Sequence, residues 1–191
     1  MRAITFDIEA ISPNFTRGRL DVNEMELTVV GIHDSSTGEY VAFTRDELPK
    51  LWPIIEAADM LIGYNSDTFD IPLLNRYYPG DLSKIRSLDI LAELYKALGR
   101  RLRLEAVAQA TLGRGKSGHG LEAGEWWLAG EYEKVKKYCL DDVRLTRELY
   151  DYALANGHLK YKDLNKKKDI KLDTSGWTEG GATALTHTLG I

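Results

Sequence analysis

From Arg2 to Glu9 the apolar and polar positions alternate with a period of two. Ile4, Phe6 and Ile8 fall on one parity, and Ala3, Thr5, Asp7 and Glu9 on the other, which predicts a strand whose side chains point to opposite faces. Ser12 to Glu26 is polar and reads as a loop. Leu27 to His33 is mostly apolar and reads as a buried strand; Ser35 to Gly38 is a turn, and Glu39 to Thr44 returns as a further strand. The period then lengthens. Asp46 to Ala57 is helix-like despite Pro49 and Pro53, Met60 to Gly63 is a short strand, and Phe69 to Tyr78 is helical with Pro72 in its first turn. Lys84 to Leu88 is another short strand. Asp89 to Leu98 and Leu104 to Leu112 are helices closed by Gly99 and Gly113. After a Gly/Lys/Ser loop from Gly113 to Gly120, one long helix runs from Glu131 to Ala155, and His158 to Tyr161 is a last edge strand. Antiparallel strands followed by strands alternating with helices predict an α/β mixed sheet with helices on its faces.

Composition narrows the class. A chain of 191 residues suits one domain over 1–164, followed by a basic and polar tail, 165–191, that is solvated and partly disordered. No apolar run approaches the roughly 20 residues of a membrane span, and the first ten residues lack the pattern of a signal peptide. With the lone Cys139 excluding an internal disulfide and a cysteine-rich metal site, the expectation is a cytoplasmic protein. A net charge of −4 argues against a general nucleic-acid coat but not against an enzyme that grips a few nucleotides locally.

The acids stand at odd places. Asp7 and Glu9 share one face at the end of a core strand, where like charges need a proton or a cation between them. In the long helix, Val135, Tyr138, Asp142, Leu145, Leu149 and Tyr152 form one inward stripe, with Lys134, Lys137, Asp141, Arg144 and Glu148 on the solvated stripe beside it. An inward carboxylate such as Asp142 costs several kcal/mol unless something compensates it. Tyr138 reads equally as core packing and as a phenol reaching the same pocket. Asp70 stands near a helix start, as a cap or as a first-turn acid behind an alternative cap, Asp67, while Asn65 braces the turn. Asp89 reads as a helix cap, and Trp126 and Trp127 as packing.

Phe6-Asp7-Ile8-Glu9, Asn65-x4-Asp70 before a helix, and Tyr138-x3-Asp142 in a late helix resemble the three motifs of the DnaQ-like 3′–5′ exonucleases, in the DEDDy branch that carries tyrosine in its third motif. The resemblance spans about residues 1–160. It implies a ribonuclease H-like fold, with a five-stranded sheet of three antiparallel strands and then parallel ones, helices on both faces. It implies a catalytic set of Asp7, Glu9, Asp70, Tyr138 and Asp142, in which the four acids hold two Mg²⁺ or Mn²⁺ ions and Tyr138 orients the attacking water. The implied reaction is hydrolysis from the 3′ end of single-stranded nucleic acid, DNA ahead of RNA, releasing nucleoside 5′-monophosphates. Asn65, Phe15, Arg17, Arg19, Lys116 and His119 are candidate substrate contacts, each also readable as an ordinary surface residue. Replication, repair and RNA processing are all compatible roles. The rival readings are a ribonuclease H-type endonuclease and a non-catalytic nucleic-acid-binding module on the same fold.

Overall fold

The computed structural model describes residues 1–12, 21–115, 120–164 and 166–179. Its central strand is β1 (Ala3–Ile11), which runs antiparallel to β2 (Glu26–Asp34), as β2 does to β3 (Tyr40–Thr44). The chain passes through α1 (Leu48–Glu56) into β4 (Met60–Gly63), parallel to β1. From there α2 (Asp70–Asn75) leads to β5 (Ser87–Asp89), parallel to β4. The strand order is β3-β2-β1-β4-β5, the ribonuclease H-like mixed sheet. Then come α3 (Ile90–Leu98), α4 (Leu104–Thr111), α5 (Gly120–Leu128) and α6 (Tyr132–Asn156), followed by a hairpin of β6 (His158–Asp163) and β7 (Lys166–Lys171). No helix among the described residues is long and apolar enough to cross a membrane.

The parity of β1 sorts the core into two layers. Ile4, Phe6 and Ile8 pack with Leu48, Leu51 and Ile55 of α1 and with Leu73 and Leu74 of α2. Ala3, Met60 and Ile62 look the other way, toward Ile90 and Leu94 of α3, Val107 of α4, and Leu145 and Leu149 of α6. Each such aliphatic side chain contributes about 1.5–3 kcal/mol on burial, so both faces hold the central strand in one register. The seat of α6 depends on Gly31 of β2. A Cβ there would lie 2.9 Å from Cys139 Sγ and 3.1 Å from a methyl of Val143. Gly31 is paired with Asp7 across the ladder, so this close approach lays α6 over the strand that carries the acids.

The structure corrects the end of the sequence reading. Where no helix is predicted, α5 forms; the helix-weakening Gly120 and Gly124 obscure its period. The final strand is not an edge of the main sheet. It pairs with Lys166–Lys171, so the basic run is a strand rather than part of a solvated tail. Ile170 and Trp177 are each only 3% exposed, and Trp177 stacks on Tyr150 at 5.6 Å between ring centroids. The boundary at 164 therefore does not mark the end of the packed structure. Lysines dominate β7 and only Ile170 is buried in it, which hides the strand from a hydrophobic pattern. Residues 180–191 lie outside the described residues.

Candidate active site

Asp7 and Glu9 leave β1 on the parity that faces α6, and the ladder with β2 slips between Glu9 and Ala10, a bulge that re-aims side chains at the strand end. Both acids are half-buried. An oxygen of each and the Cys139 sulfur lie within 4.8 Å of one another. The Cys139 thiol donates to the Asp7 carbonyl oxygen at 3.3 Å and approaches the Asp7 carboxylate at 3.8 Å. Burial first, then the charges of Asp7, Glu9 and Asp142, push this thiol well above its ordinary range. It is a protonated donor and packing atom, not a thiolate. Nothing in the sequence signals this contact, because cysteine is common in apolar cores.

Asp70 arrives from the other side of β1. After β4 ends at Gly63, where a Cβ would collide with the Ser66 side chain, the chain turns through Asn65 at φ +69°. Asp89 pins this turn. Its carboxylate accepts from the amides of Asn65 at 2.8 Å and Asp67 at 3.2 Å, and it caps α3 through the amides of Leu91 at 2.9 Å and Ala92 at 3.3 Å. The predicted cap is present, with a second role that spacing alone does not reveal. Asn65 braces the turn by accepting from the Thr68 hydroxyl at 2.8 Å and from the Arg101 guanidinium. Neither Asp67 nor Asp70 is the N-cap of α2. That position is Phe69, and the Asp67 carboxylate instead accepts from the Ser87 hydroxyl at 2.5 Å. Asp70 is the first helical residue and is 5% exposed. Burial pushes its carboxyl up to about 7; Asp89 and Asp142 add repulsion, while its own amide and that of Ile8 work against the rise. These partners place Asp70 beside the Asp7–Glu9 segment and beside Asp142.

From α6, Asp142 is 2% and Tyr138 3% exposed. The Tyr138 ring meets Trp126 of α5 edge-on at 6.0 Å. Asp141, one residue away, is half-buried and pairs with Arg144 at 2.9 Å. Thus β1, α2 and α6 bring four carboxylates to one region, linked through Ile8, Cys139 and Asp142. The donors are hard oxygens, and Asp70, raised first by burial and then by the charges of Asp89 and Asp142, is a carboxyl that a nearby cation would favour in its ionised form, so the residues fit one or more divalent cations. Of the candidate substrate contacts, Asn65 lies on the turn that leads to Asp70; Phe15, Arg17, Arg19, Lys116 and His119 lie outside the described residues. Arg101, an exposed loop residue 36 positions from Asn65, carries no sequence signal for its place at this turn.

Residues 4–154 match a family model of the RNase_H superfamily. A search of curated proteins returns no match. Among solved structures, the chain is similar to the family B DNA polymerase from the hyperthermophilic archaeon Pyrobaculum calidifontis, with a TM-score of 0.63 and 21% identity over 80% of this chain. The match covers 24% of the polymerase, so the likeness is one of fold over about a quarter of that protein's length.

Proposed function

The chain belongs to the RNase_H superfamily, and from that premise we propose that it is a divalent-metal-dependent 3′–5′ exonuclease of the DnaQ-like, DEDDy kind, acting on single-stranded nucleic acid, DNA ahead of RNA. The observation that carries this reading is the Asp7–Glu9 pair, whose oxygens lie within 4.8 Å of each other and of Cys139 Sγ, with the charge of Asp142 felt by both Cys139 and Asp70 and the Tyr138 side chain buried one helical turn from Asp142. Asp7, Glu9 and Asp142 would hold one Mg²⁺ or Mn²⁺, with Asp7 shared and Asp70 holding a second. Two such ions supply an activated water and charge stabilisation at the leaving oxygen. The chain's own residues do the rest. Tyr138 orients the attacking water through its hydroxyl, held in place by Trp126. The Cys139 thiol fixes the Asp7 backbone. Asp89 and Asn65 keep the turn rigid so that Asp70 enters at a set angle.

The test is digestion of a 5′-labelled oligonucleotide with Mg²⁺ or Mn²⁺. A ladder shortening from the 3′ end, release of nucleoside 5′-monophosphates, and loss of both in chelator are expected. Internal cuts would identify a ribonuclease H-type endonuclease, and a mobility shift without cleavage would identify a binding module. Matched DNA and RNA strands digested side by side measure the preference.

A further inference from the structure

The net charge of the chain is −4, yet one surface is strongly cationic. The turn between α3 and α4 exposes Arg100, Arg101 and Arg103, and the β6–β7 hairpin exposes Lys162, Lys166 and Lys167. None of the six has an ion-pair partner among the described residues. The two groups are neighbours: β7 lies against α3, and the Arg100 guanidinium sits 4.8 Å over the Tyr161 ring of β6, with Lys162 and Lys167 on the outer face of the hairpin, opposite Tyr161. Arg100 also lies close enough to Asp163 and Lys168 to perturb both. On the hairpin, Lys162 stands directly opposite Lys167 in the ladder, an arrangement of like charges that destabilises a strand pair. Such a pair makes sense on a surface that meets a polyanion.

This surface reaches the candidate active site through one residue. Arg101 donates to Asn65, on the turn that delivers Asp70. Beside that contact is a cleft of about 280 Å³ lined by Asn65, Thr68, Tyr95, Lys96 and Arg101, with Asp67 and Asp89, both engaged in hydrogen bonds within the protein, on its wall. Tyr95 is 52% exposed, an aromatic side chain open to solvent in the same cleft as Arg101. Resting on the exonuclease reading above, we propose that this surface is the track for the strand upstream of the reacting end. Arg101 and the Tyr95 cleft take the nucleotides next to the site, and the hairpin lysines take the phosphates farther along. The occupant is single-stranded nucleic acid rather than duplex, because stacking on Tyr95 needs an unpaired base.

The experiment combines Lys162→Ala, Lys166→Ala and Lys167→Ala in the full chain and measures binding by fluorescence anisotropy in Ca²⁺. The probes are labelled oligothymidines of about 16 and about 4 nucleotides, spanning the usual range of single-strand site sizes. Binding of the long probe should weaken, and its log–log salt slope should become shallower by about 2, the single-strand increment for three phosphates. Binding of the short probe should be unchanged. The melting temperature should hold or rise, since the opposed Lys162–Lys167 pair is gone. A second variant, Tyr95→Ala, should weaken single-strand binding by about 5- to 100-fold and leave a duplex of the same length unaffected. A triple variant with wild-type affinity and salt slope for the long probe overturns the track, as does an equal loss for single strand and duplex in Tyr95→Ala. Wild-type protein that shows the lysine-dependent binding but cuts nothing in Mn²⁺ would keep the track and overturn the exonuclease reading, so the two fail separately.

Discussion

Asp142 is 2% exposed and close enough to Asp70 for its charge to raise that carboxyl, whereas its neighbour Asp141 is paired with Arg144 at 2.9 Å. The α-helix separates them by about 100° of rotation, so the same chemical change has different consequences at adjacent positions. Asp142→Asn should abolish nearly all turnover, and Asp141→Asn should leave most of it; equal losses in a nuclease assay would contradict the placement. Asp70 supplies a second prediction. Its folded carboxyl titrates at about 7, against about 3.9 in an unfolded chain. Between those values the folded protein holds a proton that the unfolded chain has lost. The stability of the metal-free protein therefore falls as pH rises from about 4 to about 7, and levels off above. A cation favours the ionised carboxylate and relieves that loss. The rise in melting temperature on adding Mn²⁺ should accordingly be larger near pH 7.5 than near pH 5.5, roughly the two sides of that window. A rise of the same size at both would remove Asp70 from the cation site.

At the scale of elements, the site depends on how closely α6 lies on β2. Gly31 admits the helix because it has no Cβ to meet Cys139 Sγ at 2.9 Å, Val143 at 3.1 Å and Leu140 at 3.3 Å. Gly31→Ala should overpack this contact and destabilise the fold by about 1–3 kcal/mol. It should also lift Tyr138 and Asp142 away from β1, so activity should fall by more than the unfolded fraction explains. Adding Cys139→Ala removes the nearest clash and should recover part of the stability. Denaturant melts of the two single variants and the double measure this coupling. Strictly additive losses would mean that the helix is seated by something other than this contact. The turn of Asn65 is a second element-scale device. Its conformation comes from Gly63, from the left-handed Asn65 and from Asp89, which is anchored in β5 and α3.

Across the whole molecule, the described chain is packed as far as Trp177. That side chain is 3% exposed and closes the second core layer against Tyr150, and the Arg86 guanidinium donates to the carbonyl of Gly176 beside it. Trp177→Ala should cost about 3–5 kcal/mol, read as a lower denaturation midpoint. A chain ended at 164 should be less stable still, because Ile170 leaves the core with it. If the shortened chain melted like the intact one, residues 165–179 would be an appendage after all.

How much was legible in the sequence follows the range of the signal. The parity of β1, the inward stripe of α6 and the strand-helix alternation are local periodicities. They determine the mixed sheet and place Asp7, Glu9, Tyr138 and Asp142 on faces that look inward. The spacing from Asn65 to Asp70 is also local, although the choice between cap and buried acid is not. Tertiary structure decided that choice, because Asp70 gets its displaced carboxyl from burial beside Ile8, Asp89 and Asp142. It also decided the stripe's true width, since α6 is covered on more than one side and buries Cys139, Val143, Thr146, Tyr150 and Ala153 as well. The β7 strand shows no alternation, because its lysines are held by pairing with β6 and not by burial of their own. The union of Arg101 with Asn65, and of the basic hairpin with α3, joins segments far apart in the chain. A periodic pattern records which face a residue shows to the core, but not which distant segment lies across from it. That second fact is set only when the two core layers close on the sheet and bring those segments into contact.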